Sequence, residues 1–128
     1  KALGVCLGMQ ILCAHSEEGN EAGLAVVEGS VKTLRPSTTE RSPHVGWNTV
    51  KWDSDDPILS GLGPQQDFYF LHSYHVTLGR TTKCLGWTEY GHPITAMFRS
   101  ENIWGVQFHP EKSQSAGLKL LSNFVRHA

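Results

Sequence analysis

Apolar and polar positions along the chain follow two rhythms, and where one gives way to the other an element begins or ends. The apolar run at residues 2–5 leads into Cys6-Leu7-Gly8, and Met9, Ile11 and Leu12 behind it fall at helical spacing. A strand, a sharp turn and a helix over residues 9–15 are expected, with Gly4 and Gly8 allowing a close approach on either side of the cysteine. Residues 16–23 are polar and glycine-rich and read as a loop. Residues 24–27 and 30–34 are short β-prone runs separated by Glu28-Gly29, followed by a second loop over 35–43. Residues 44–52 alternate as a half-buried strand does, and Pro57 opens a helical turn within 56–62. The stretch DFYFLHSYHV, residues 67–76, is dense in aromatic and β-branched side chains and is expected to be one strand. Residues 84–88 form another, and 94–99 pair with 103–108 as a hairpin turning at 100–102. After Ser113, the residues Leu118, Leu121, Phe124, Val125 and Ala128 recur at helical spacing, with Lys119 and Arg126 outside the stripe.

With 128 residues, the chain suffices for one core and not two, so a single domain over 1–128 is expected. A charged fraction of 18% and a formal charge of -1 lack the basic excess that nucleic acid or anionic membranes select, so neither is an expected partner. No apolar run reaches the roughly 20 residues of a membrane-spanning helix. Three cysteines without a C-x-x-C pair argue against a disulfide framework and a zinc site, and fit a reducing, cytoplasmic compartment. On one strand, His72 and His75 would face opposite sides, which argues against a shared metal ion. No metal and no cofactor are expected.

Three stretches can carry chemistry. At the start of a helix, the Cys6 thiol would have a lowered pKa, and the Leu7 N–H would lie where an oxyanion develops; a small core cysteine is the alternative. In GVQFHPEKS, an extended backbone would send His109 and Glu111 to one side as base and orienter, against a solvated strand end. Ser73 and its neighbours in LHSYH can hydrogen-bond a polar ligand, and Gln10, one helical turn beyond Cys6, can do so through its amide. Both also fit ordinary strand and helix-surface positions. Cys13 and Cys84 read as packing residues, and so do Trp47 and Tyr69 from composition.

In order, CLGMQ, GWN, HSY and FHPEKS resemble the class I, triad-type, glutamine amidotransferases, and among them the glutaminase subunits of imidazole glycerol phosphate synthases. The resemblance implies an α/β, flavodoxin-like domain with a mixed sheet. It implies a triad of Cys6, His109 and Glu111, glutamine-binding positions at Gln10, Ser73 and Tyr74, and half of an oxyanion hole at Leu7. It further implies a glutaminase that passes ammonia to a (β/α)8-barrel cyclase in histidine biosynthesis, with Trp47, Tyr69 and Lys112 near that partner. Family members carry a β-α-β-α-β stretch ahead of the nucleophile strand, with the loop that completes the oxyanion hole. The resemblance begins at that strand and covers the C-terminal two thirds of the family domain. From these residues alone, weak or no glutaminase activity is expected, since one lost oxyanion donor costs about 10²- to 10³-fold in rate. Self-association through open strand edges is also expected. An amidotransferase serving another acceptor, such as a sugar-modifying synthase, and a silent binding module are the competing readings.

Overall fold

The computed structural model describes residues 1–35 and 42–128, so most of the loop expected at 35–43 lies outside the described residues. In chain order the elements are β1 (Ala2–Val5), α1 (Leu7–Ile11), β2 (His15–Ser16), β3 (Glu21–Ala22), β4 (Gly29–Thr33) and β5 (His44–Lys51). A 3-10 turn at Pro57–Leu59 follows, then β6 (Gln65–His72), β7 (Tyr74–Leu78), β8 (Lys83–Glu89), β9 (Pro93–Ser100) and β10 (Ile103–Val106). A second 3-10 turn at Pro110–Lys112 leads into α2 (Gln114–Arg126).

The strands form a mixed six-stranded sheet in the order β1-β10-β9-β8-β5-β6 and a four-stranded sheet in the order β3-β2-β4-β7. In the larger sheet β1 runs parallel to β10, with Val5 opposite Val106, while β9 and β10 form the expected antiparallel hairpin. Alternate residues of β10 serve different cores. Trp104 and Val106 join Phe68, Phe108 and Leu120 of α2, whereas Ile103 packs with Phe98, Met9, Val31 and Val76 beneath α1.

Two sequence expectations fail for one reason. The helix after Cys6 ends at Ile11 rather than His15, and residues 24–27 form no strand. The carbonyls of Ile11, Leu12 and Cys13, free at the helix end, accept from the N–H groups of Leu24, Val26 and Ala25 at 2.8, 3.0 and 3.1 Å. The loop thereby caps the helix and cannot pair as a strand. The expected single strand at 67–76 is also two: β6 pairs with β5 up to His72, and β7 pairs with β4 from Tyr74. Ser73 is where the chain passes from one sheet to the other. Residues 16–23, expected as a loop, contribute β3 and the end of β2.

The buried stripe of α2 is also rotated from the one expected, and runs through Gly117, Leu120 and Asn123. Leu118 and Val125 are exposed. Asn123 turns inward because its amide donates to Ile58 O and Ser60 O at 2.9 and 2.7 Å, closing the first 3-10 turn. Gly117 permits α2 to lie directly on the second turn, since a Cβ there would meet the Pro110 carbonyl. Cys84, expected in the core, is exposed on β8, whereas Cys13 is fully buried. Among the described residues no helix is long and apolar enough to cross a membrane.

One buried carboxylate ties the far end of the sheet together. Asp56 accepts from the Ile58 N–H at 3.0 Å, the Trp104 indole at 3.1 Å and the Arg99 guanidinium at 2.7 Å. Replacing Asp56 by Ala leaves a buried indole N–H and an amide without acceptors, and should destabilise the fold by about 3 kcal/mol in urea titrations. A loss below about 0.5 kcal/mol, the level of an ordinary surface substitution, would show that the carboxylate is not a structural tie.

Candidate active site

Cys6 sits between β1 and α1 with φ 52° and ψ -109°, a backbone conformation that a residue with a side chain adopts only when its surroundings hold it there. The Cys6 N–H donates to Val106 O at 2.8 Å, continuing the parallel ladder by one step, and Cys6 O accepts from the Gln10 N–H at 3.2 Å. Gly4 lets the helix fold back onto the strand, since a Cβ there would stand 2.6 Å from Gly8 O. The turn presents the sulfur between two groups. Cys6 Sγ donates to Leu71 O at 3.6 Å and accepts from Gln107 Nε2 at 3.7 Å.

Burial pushes the Cys6 thiol above its ordinary range, opposed by the Leu7 N–H and the Gln107 amide. Glu111 adds to the rise and Lys112 offsets it. This reverses the expected lowering. An α-helix of five residues has little macrodipole, so desolvation decides.

His109 and Glu111 meet, although not through an extended backbone. Pro110–Lys112 is a 3-10 turn, and within it His109 Nδ1 lies 3.0 Å from Glu111 Oε2. Glu111 can only accept when ionised, so Nδ1 carries the proton and Nε2 keeps its lone pair. The turn is anchored at both ends. The His109 N–H donates to Tyr69 O at 2.9 Å, Ser113 Oγ donates to His109 O at 2.6 Å, and the Tyr69 N–H donates to Ser113 Oγ at 3.0 Å. Neither hydrogen bond of Cys6 Sγ goes to His109.

A pocket of about 330 Å³ opens beside the elbow, lined among others by Cys6, Leu7, Gln10, His72, Ser73 and Tyr74. Five of the residues expected from the sequence therefore share one cavity, while His109 and Glu111 stand outside its lining. Gln10, expected to offer its amide to a ligand, is buried rather than on the helix surface, and its Nε2 donates to Tyr74 O and Gln107 Oε1, each at 3.1 Å. Trp47 and Tyr69 are cross-strand partners with ring centroids 6.0 Å apart, and Trp47 is half exposed. Lys112 is exposed on the turn tied to Tyr69, which puts the three on one side of the molecule.

Sequence reasoning missed His44 and Gln107 and weighed His72 only as a metal ligand; all three are buried. The signal for Gln107 was legible as an amide set between Val106 and Phe108 in an apolar run. For the histidines it lay in the register of β5 with β6, which places His44 opposite His72. His75, expected on the same strand as His72, lies on β7 with its ring 5.5 Å from that of His92. Among the described residues no three His, Cys, Asp or Glu side chains gather as a metal ion requires.

The sequence pattern of the family "Glutamine amidotransferase class-I" matches residues 2–128. The chain belongs to that family. It is 44% identical to the imidazole glycerol phosphate synthase subunit HisH of Nitrosomonas europaea, over 97% of this chain and 62% of the relative. With the HisH subunit of Rhodospirillum rubrum it shares 43% identity over 98% of the chain and 60% of the relative. The chain thus spans about 60% of the length of these relatives. A solved glutamine amidotransferase from Thermotoga maritima superposes with a TM-score of 0.64 at 21% identity, covering 96% of this chain and 46% of that one, which bears out the mixed α/β fold.

In this amidotransferase chain the two buried histidines are coupled. His44 Nδ1 lies 2.9 Å from His72 Nε2, and the His44 ring is stacked between Phe70 and Tyr90. Burial pulls both down to about 4; for His44 the neighbouring His72 adds to the effect, and for His72 the bond to Tyr74 O opposes it. An unfolded histidine titrates near 6.5, so between pH 6.5 and about 4 the unfolded chain takes up protons that the folded one refuses. Stability should be complete a unit or so above pH 6.5 and fall by roughly 3 kcal/mol for each of the two histidines as the pH is lowered to 4. Urea midpoints across that range should show the slope, and it should shrink in the His44→Asn/His72→Asn double variant; an equal slope in both proteins would dismiss the pair as its origin.

Proposed function

We propose that this chain carries the glutaminase site of an imidazole glycerol phosphate synthase, with Cys6 as nucleophile, His109 as general base and acid, and Glu111 as the residue that holds the tautomer of His109. The observation that carries the reading is the parallel pairing of β1 with β10. It brings the Cys6 elbow beside the strand that leads into His109 and Glu111, in a chain 44% identical to a HisH subunit.

The chemistry follows from the protonation states. Burial keeps the resting Cys6 neutral, so the sulfur becomes a strong nucleophile only as its proton leaves. Rotation from Leu71 O toward His109 would give the proton to Nε2, while Glu111 stabilises the imidazolium that forms. The sulfur attacks the side-chain carboxamide carbon of glutamine, and the developing oxyanion accepts from the Leu7 N–H. His109 returns the proton to the amine, the C–N bond breaks, and ammonia departs to leave a glutamyl thioester. Water, deprotonated by His109, then cleaves the thioester to glutamate and restores the thiol. Ser73 and Tyr74, at the crossing between the two sheets, offer hydroxyl and backbone groups to the substrate's amino-acid end, and Gln10 offers the Oε1 that its internal bonds leave over.

The ammonia is delivered to a (β/α)8-barrel cyclase, and the exposed Trp47 and Lys112 with the part-buried Tyr69 are the face that meets it. A half-exposed tryptophan against a tyrosine, with a cation at the edge, has the composition of an interface centre. The location is cytoplasmic, where the amino-acid pools are.

The decisive measurement is glutamate release from glutamine, with and without the barrel cyclase. Release should rise when the cyclase is added, and Cys6→Ala should lower it by about a thousandfold or more. Release that persists in Cys6→Ala would refute the covalent mechanism. Release that ignores the cyclase would instead assign the ammonia to another acceptor.

A further inference from the structure

A buried amide that the chemistry above does not use points directly at the sulfur. Gln107 is fully buried between Val106 and Phe108, a position where an apolar side chain would cost nothing and an unpaired amide would cost several kcal/mol, about 2–7 by transfer measurements. Its two ends are both engaged: Oε1 accepts from Gln10 Nε2 at 3.1 Å, and Nε2 donates to Cys6 Sγ at 3.7 Å.

The direction of this arrangement is fixed by one atom that can only accept, the carbonyl oxygen of Tyr74. It takes the His72 Nδ1–H at 2.8 Å and the Gln10 amide at 3.1 Å. The group that Gln10 turns toward it must therefore be its NH2. Because the same NH2 also faces Gln107, the atom of Gln107 opposite must be Oε1, and its own NH2 is left facing the sulfur. On the other side, His72 Nε2 becomes the acceptor for His44 Nδ1–H, and His44 Nε2 accepts from Asn48 Nδ2 at 3.3 Å. Turning Gln107 over would set NH2 against NH2 at Gln10 and a carbonyl oxygen against the sulfur. Every donor in the array has an acceptor in one orientation alone.

We propose that Gln107 is a positioning residue for the Cys6 thiolate: locked through Gln10 by the Tyr74 carbonyl, its NH2 is held toward Sγ and stabilises the sulfur as an anion once its proton has left. The thiol's own hydrogen-bond acceptor, Leu71 O, becomes a repulsive neighbour of the anion, so a fixed donor on the other side decides where the charged sulfur rests. The inference builds on Cys6 as the nucleophile, but it concerns the ionisation of the sulfur and is measured without turnover.

The test is the pH profile of Cys6 alkylation by iodoacetamide in a Cys84→Ser background, which removes the exposed thiol of β8. Gln107→Met keeps similar volume without the donor, and should move the midpoint up by about one pH unit, slowing alkylation about tenfold at neutral pH. Gln107→Glu should move it further, because its charge opposes the anion. Gln10→Leu leaves Gln107 in place but frees its amide to turn, and should shift the midpoint in the same direction. Identical profiles for Gln107→Met and the parent would overturn the proposal, since a packing role predicts no change. Should a variant not fold, the parent itself decides: the side-chain amide resonances of Gln107 should titrate with the Cys6 midpoint and cease to do so in Cys6→Ala, and resonances that stay fixed in the parent would overturn the proposal equally. If Cys6→Ala keeps full glutaminase activity while these shifts occur, the functional reading fails and the ionisation device stands.

Discussion

Two strands that lie a hundred positions apart in the chain run side by side in the same direction, and the rest of the molecule is arranged around their shared end. Parallel pairing of β1 with β10 aligns Val5 with Val106, and the Cys6 N–H extends the ladder by one further bond. Both strands then stop. One turns sharply into α1, and the other passes through Gln107 and Phe108 to the 3-10 turn that holds His109 and Glu111. Parallel strands cannot be joined by a tight turn, so the whole intervening chain must return the second strand to the first. The intervening strands supply the acceptors, Leu71 O and Tyr74 O, that face the end of this ladder.

The surroundings of this shared end differ on its two sides. Toward the pocket, polar groups are linked in a chain of hydrogen bonds, from Asn48 through the histidine pair to the Tyr74 carbonyl and on through Gln10 to Gln107. Toward solvent, the turn is held by the His109 N–H on Tyr69 O and by one hydroxyl: Ser113 Oγ accepts from the Tyr69 N–H and donates to His109 O. The exposed Trp47 faces the part-buried Tyr69, which itself bonds the turn that carries His109.

Local pattern showed much of this before the fold was known. The strand-turn-helix at Cys6, the β9-β10 hairpin and the alternation of β5 depend on neighbours in sequence, and sequence shows neighbours. What it could not show were partners brought together by register. Nothing in PHVGWN or LHSYH tells that His44 stands opposite His72, and a dense strand pattern over 67–76 hid the change of sheet at Ser73. The inner face of α2 was misplaced because hydrophobicity alone defined it, whereas Asn123 is buried for the two carbonyls it satisfies. The direction of the Cys6 shift was missed for a similar reason: the helix start is visible in the sequence, but the desolvation that outweighs it is a property of the assembled fold.

The backbone at Cys6 has a consequence of another kind. At φ 52° and ψ -109° it occupies a region where glycine, with no Cβ, would sit at less cost. A chain selected only for rigidity would discard the sulfur at this turn and gain stability by doing so. That a side chain persists there sets a toll on the fold of the order of 1–3 kcal/mol, the usual size of such backbone strain. Glycine at this position would therefore give a firmer protein without the thiol.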